Sequence, residues 1–309
     1  MLLLLAEFYA TPWALDPTIH AQMEMILERW AQGNRLTPDQ IQAAVGTAPQ
    51  AAAQRRSEAA QASGGAVAVV PVYGVLTHRA YAAQSISTTL TSTEGLAAQI
   101  RAAEANPEVS SIVLDVNSPG GSVFGVQEVG DTIYKARSTK PVIAVVNSIA
   151  ASGGYWVASQ ATEVVITPSG MAGSIGAFMA HEDRSQKYAQ EGIKRTYVHA
   201  GKYKVEGNDS GPLEGEALEY TQAMVDGFYS TFVRAVARGR GVSVETARGP
   251  DFGQGRMVMA KDAVTRGMAN RIATLDQVIA EQSKPTTRRS QGNLSASTAS
   301  ARLQILQAG

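Results

Sequence analysis

Four short apolar runs, Val67–Val72, Ser111–Val116, Val142–Val146 and Glu163–Thr167, narrow the possible folds of this chain more than any other feature. Each is rich in β-branched apolar residues and reads as a strand, Ser111–Val116 as a buried one and Val142–Val146 as one fully buried. Val75-Leu76 extends the first run beyond Gly74. Helical patterns fall between the runs, at 94–105, at roughly 122–138 and from Ser152 onward. The alternation recurs roughly every 25 to 35 residues, the spacing of βαβ units, and predicts an α/β fold with a mainly parallel sheet. A further strand is expected at Arg195-Thr196-Tyr197-Val198-His199, a long helix over about 214–238 and another near 261–267.

The flanks are different in kind. Residues 16–32 read as an amphipathic helix, with Asp16 as cap, Pro17 in the first turn and an apolar stripe of Ile19, Met23, Ile26, Leu27 and Trp30. A second short helix is expected from Thr37-Pro38. The organisation predicted is therefore an N-terminal helical extension (1–45), an Ala/Gln/Ser/Gly-rich linker (46–65), a core domain (66–282) and a flexible tail (283–309). Within the tail, residues 301–306 could form a short helix on a partner.

Charge and cysteine content exclude several functions. Lysine plus arginine (27) balance aspartate plus glutamate (27), so there is no basic footprint for nucleic acid or for an anionic membrane. With no cysteine there is no disulfide, thiolate metal site or cysteine nucleophile. The opening Met1-Leu2-Leu3-Leu4-Leu5 has no basic residue before it and is interrupted at Glu7. It is far shorter than the ~20 apolar residues of a spanning helix. A cytoplasmic protein with no membrane anchor is the expectation.

Chemistry is expected where glycines meet the ends of core elements. Asn117-Ser118-Pro119-Gly120-Gly121 follows a strand and is read as opening a helix, so its backbone N–H groups could hold an anion or an oxyanion. Ala151-Ser152-Gly153-Gly154-Tyr155 places a serine at the carboxyl end of a strand, where open α/β sheets bind ligands. Ser152 is either a plain helix cap or a nucleophile. Gly173-Ser174-Ile175-Gly176 frames a second serine, and Lys202-Tyr203-Lys204 follows the strand expected at 195–199. A serine nucleophile needs a base. The four histidines (His20, His78, His181, His199) stand in no glycine-framed loop, which leaves a Ser-His-Asp triad without support. A lysine can serve if an apolar wall lowers its pKa from about 10.4.

These three glycine motifs, in this order, resemble the signal peptide peptidase A family of serine proteases, Ser/Lys dyad enzymes on the Clp protease/crotonase-like α/β fold. The resemblance spans about residues 66–280, including Gly255–Met268 as the closing strand and helix. It implies Ser152 as nucleophile, Lys204 as general base (Lys202 as fallback) and Ser174 as the hydroxyl that orients the lysine. The oxyanion and substrate-backbone positions it implies are Gly120, Gly121 and Gly153. It implies no cofactor and no metal, a ring-like homo-oligomer, and a substrate bound as an extended strand near Gly121 and Ser122. The opening segment Tyr9–Leu15 and the following helix resemble the phage branch of the family, whose members cut scaffold and capsid proteins inside the prohead. Alternatives are a peptidase that degrades signal peptides or other membrane-derived peptides, a crotonase-like acyl-CoA enzyme, and an inactive head-associated protein.

Overall fold

A computed structural model of the chain describes residues 8–31, 67–78 and 90–284. The expected helix at Thr37-Pro38, the linker at 46–65 and all but the first two residues of the 283–309 tail lie outside the described residues. The sheet is built on β2 (Val67–Thr77), β4 (Ser111–Ser122), β5 (Val142–Ala151) and β6 (Glu163–Ile166). With β3 (Leu90–Ser92) and β9 (Arg271–Ile272) they run in the order β3-β2-β4-β5-β6-β9, every neighbouring pair parallel.

Alternation explains why these runs are apolar throughout. Val113, Ile143, Val145 and Val165 point to one face, where Ala273, Leu275 and Val278 cover them. Ile112, Leu114, Val116, Val142, Ala144, Val146, Val164 and Ile166 point to the other, a larger core. With both faces covered, no position can be polar without a partner. The covering helices are α2 (Thr93–Ala105), α3 (Val126–Ala136), α4 (Gly153–Ser159) and, after the short exposed α5 (Ser185–Gln190), α6 (Gly215–Arg240). α2 starts where the Ser92 side chain accepts a hydrogen bond from the Gly95 amide. α4 is pinned to α6 by Trp156, which stacks on Phe232 with 4.6 Å between ring centroids. The buried Gln160 side chain donates to the Ala235 carbonyl.

Three expectations need correction. The strand at 111–116 does not stop before the glycines; it continues to Ser122, and the next helix begins only at Val126, after Gly125. Neighbouring strands claim that segment: β2 pairs Val75 with Gly120 and Leu76 with Gly121. The strand expected at Arg195–His199 is absent, because no sheet edge reaches that exposed stretch. Lastly, the N-terminal extension is more than helical. Besides α1 (Pro17–Ala31) it supplies a strand, β1 (Trp13–Leu15), to the main sheet.

β1 fits where it does because β5 leaves β4. The two pair as far as Ser118 and Ala150; β5 ends at Ala151, while Ile149–Ala151 pair on their other edge with β7 (Met171–Gly173). The edge of β4 so vacated, Gly120–Ser122, is taken by β1 running antiparallel to it. β8 (Met257–Met259) closes the far side of β7. The carboxyl ends of β4 and β5 and the strand β1 thus converge on one place.

Candidate active site

Ser152 sits at that convergence, between β5 and α4, with φ 50° and ψ −118°. A non-glycine residue so far from the allowed wells is strained by roughly 1–3 kcal/mol, and the surroundings must hold it there. They do: its amide donates to the Gly173 carbonyl at 2.8 Å, and its carbonyl accepts from the Trp156 amide at 2.9 Å. Its side chain makes no capping bond to α4, so the role of plain helix cap is excluded. The hydroxyl donates instead to the Gly176 carbonyl, at a long 3.4 Å, and the residue is only 1% exposed.

The glycines make room around it. A Cβ built on Gly120 (φ 103°) would lie 2.1 Å from the Ala14 carbonyl oxygen and 3.0 Å from Ser152 Cβ. One on Gly121 would lie 2.0 Å from the Leu76 oxygen, and one on Gly154 2.8 Å from the Ser118 oxygen. Only glycine permits these approaches. The two amides at 120 and 121 differ in their employment. Gly120 N–H donates to Ser118 Oγ (3.2 Å), while that hydroxyl donates to the Gly74 carbonyl (2.7 Å). Gly121 faces Ala14 across the sheet. The flanking bonds, Val123 N–H to the Pro12 oxygen and Asp16 N–H to the Pro119 oxygen, make Ala14 and Gly121 the hydrogen-bonded pair of this short ladder. The Gly121 amide therefore points at a carbonyl beside Ser152. Gly153 flanks the same oxygen: a Cβ built on it would lie 3.2 Å away.

Ser174 (φ 53°, 8% exposed) follows Gly173, whose carbonyl holds Ser152. Its own amide donates to the Arg256 carbonyl at 3.0 Å. The turn Gly173–Gly176 thus wraps Ser152 with two carbonyls, and the structure brings together Ser152, Ser174, Gly120, Gly121 and Gly153.

The lysines stand apart. Lys202 is exposed and ion-pairs with Glu216 at 2.8 Å; that carboxylate, with the Tyr203 hydroxyl, raises its pKa rather than lowering it. Lys204 is exposed too, in the turn after Gly201, and neither lysine hydrogen-bonds Ser152 among the described residues. The apolar wall expected around the base is not present in this arrangement. A hollow of about 1310 Å³ is lined by neither Ser152 nor Lys204. Ala177, next to Gly176, and Tyr203, next to Lys204, line that same hollow.

Sequence reasoning missed Ser118 as the anchor of the Gly120 amide, and β1 altogether. Proline at positions 12 and 17, bracketing an apolar Trp-Ala-Leu triplet, was the available signal. Among the described residues no group of acidic and histidine side chains could hold a metal, and no helix is long and apolar enough to cross a membrane.

Parts of the chain match known peptidases. Residues 135–287 match the model of peptidase family S49, and residues 66–165 that of the Clp protease. The chain is 29% identical over 247 residues to the capsid assembly protease C of Escherichia phage lambda, covering 80% of this chain and 55% of that one. It is 34% identical over 185 residues to the head-tail preconnector protein GP5 of Enterobacteria phage P21, covering 60% and 37%. Protease 4 of Salmonella typhi is 31% identical over 186 residues, covering 60% and 30%. The chain thus spans about half of the phage lambda protein and a smaller share of the other two.

Proposed function

We propose that this chain, whose residues 135–287 match the model of peptidase family S49, is a serine endopeptidase of that family with a Ser152/Lys204 dyad that cuts scaffold and capsid proteins during assembly of a phage head. The observation that carries the reading is the β5–α4 junction: a strained serine beside which the Gly121 amide faces the Ala14 carbonyl oxygen, with Gly153 next to the same oxygen. No simple turn needs that arrangement, and an acyl-transfer site does.

In this mechanism Lys204, neutral and enclosed once its turn closes over the hollow, takes the proton from Ser152 Oγ. The oxygen attacks the scissile carbonyl carbon. The resulting oxyanion is held by Gly121 and Gly153, each donor contributing about 2.7–4 kcal/mol in comparable sites. Collapse breaks the C–N bond, Lys204 returns the proton to the leaving amine, and water then releases the acyl group from Ser152. Ser174 orients the amine. Since the lysine turn is exposed in the single chain, a second copy packing on it in a homo-oligomer is a natural source of the enclosing wall. The prohead interior, within the host cytoplasm, is the proposed site of action.

The names of the two phage relatives support the head-assembly role, and that of Protease 4 supports the broader peptidase class. The test is co-expression with scaffold and capsid proteins of the same virus and mass mapping of the fragments. Ser152→Ala and Lys204→Ala should each abolish the fragments, while Lys202→Ala retains them. Full cleavage by Lys204→Ala with loss in Lys202→Ala would transfer the base role to Lys202.

A further inference from the structure

The groove beside Ser152 is already filled, and by the chain itself. β1 is paired on both edges. On one side its Ala14 faces Gly121 in the vacated edge of β4. On the other, Trp13 exchanges two backbone hydrogen bonds with Phe178, its amide donating at 2.9 Å and its carbonyl accepting at 3.0 Å. Phe178 belongs to the same segment whose Gly176 carbonyl receives the Ser152 hydroxyl. An extended segment held between a strand and a bridging segment, with one carbonyl turned onto an amide next to a nucleophile, is how a protease holds the residue it acylates.

The register is equally specific. The Ala14 oxygen and Ser152 Cβ lie 2.1 and 3.0 Å from one point, the Cβ position of Gly120, so they are no more than about 5 Å apart. Side chains alternate along a strand. Trp13 and Leu15 enter an apolar cluster with Phe8, Leu27 and Val75, and the fully buried Ala14 takes the opposite face. The strand is also clamped at its ends. The Trp13 indole donates to the Phe8 carbonyl (3.0 Å), and Asp16 accepts from the Thr18 amide (2.9 Å) at the start of α1.

We infer that Trp13–Leu15 is a built-in substrate mimic: it occupies the acyl-binding groove in substrate register, presents the Ala14–Leu15 bond to Ser152, and excludes other chains until it is displaced. The inference rests on the reading of Ser152 as nucleophile. It also describes the substrate: an extended segment with a small side chain on the residue whose carbonyl is attacked and large apolar side chains on either side of it.

The experiment separates occupancy from chemistry. In a Ser152→Ala full-length chain, binding of a fluorescent peptide of sequence Thr-Pro-Trp-Ala-Leu-Asp is followed by anisotropy, with and without Trp13→Ala/Leu15→Ala. Displacing the strand should tighten binding at least tenfold; equal affinity overturns the inference. If the double variant loses its circular dichroism signal, Ala14→Glu replaces it, since this change ejects the strand without truncating any side chain of the apolar cluster. In the Ser152 chain, the same displacement should raise cleavage of an added peptide about tenfold. A fragment beginning at Leu15 should accumulate from the unaltered strand. A gain in binding with no cleavage and no labelling of Ser152 by a fluorophosphonate keeps the mimic and sinks the nucleophile. Cleavage at one unchanged rate, with no gain in binding, keeps the protease and sinks the mimic.

Discussion

The backbone at Ser152 makes a prediction whose sign is unusual for an active-site substitution. At φ 50° and ψ −118° the residue lies well away from the left-handed well, where ψ is near +30° to +60°. Its strain belongs near the upper end of the usual range, about 3 kcal/mol. Glycine adopts this conformation freely. Against that relief stand about 0.8 kcal/mol for one lost buried carbon and about 0.5–1 kcal/mol for the greater freedom of an unfolded glycine. The hydroxyl adds little, since its hydrogen bond is a long 3.4 Å. Relative to Ser152→Ala, which keeps the strain, Ser152→Gly should be more stable by about 1.5 kcal/mol, a rise in Tm of roughly 3–6 °C for a domain of this size. Both variants should lose all cleavage. The assay is calorimetric or fluorescence melting of the two variants side by side at one pH and one protein concentration, so that oligomer linkage is the same for both. A glycine variant that melts below the alanine variant would refute the claim that the fold holds this serine against its own preference.

Two further predictions concern the supports of the site. Ser118→Ala removes the acceptor of the Gly120 amide and the donor to Gly74 in a fully buried place; we expect a loss of about 1–3 kcal/mol in stability and a fall in kcat with little change in KM, measured on a short peptide. His20 is buried against Phe8, Trp13 and Phe178, and desolvation holds its pKa below the ordinary value of about 6.5, only partly opposed by Glu24. Above that value the ring is neutral folded and unfolded, so stability does not depend on it. As pH falls below about 6.5 the unfolded ring gains a proton that the folded ring resists, and stability is lost until the folded pKa is reached. Melting at pH 7.5 and 5.5 should therefore show an acid-side loss that is reduced in His20→Phe; an equal loss in both chains would contradict the assignment.

The parts of this molecule legible in its sequence are those whose signal is local. Val142–Val146 reads as a buried strand because both faces of the sheet are covered, and every residue in it is apolar for that reason. Ser152 was marked by the glycines around it, which are required because Ala14, Ser118 and Leu76 press against them. The features that were not legible are defined by something distant in the chain. Gly120 and Gly121 look like a strand-to-helix turn until it is known that β2 and β1 flank them, more than 40 and 100 residues away in sequence. Arg195–His199 has the composition of a strand and no edge to join. Trp13–Leu15 is the converse: three residues with no periodicity, made into a strand wholly by the edge that β5 vacates. In the proposed mechanism, that vacated edge lies beside the nucleophile and would receive a substrate's main chain. An unpaired edge is a hazard in any protein, since it templates pairing with whatever extended chain it meets. Covering it with a segment of the chain's own, clamped by Phe8 and α1, removes the hazard and imposes a requirement. The activity of Ser152 toward other chains must depend on the release of β1, and the stability of the Phe8/Trp13/Leu15/Leu27 cluster sets how readily that release occurs.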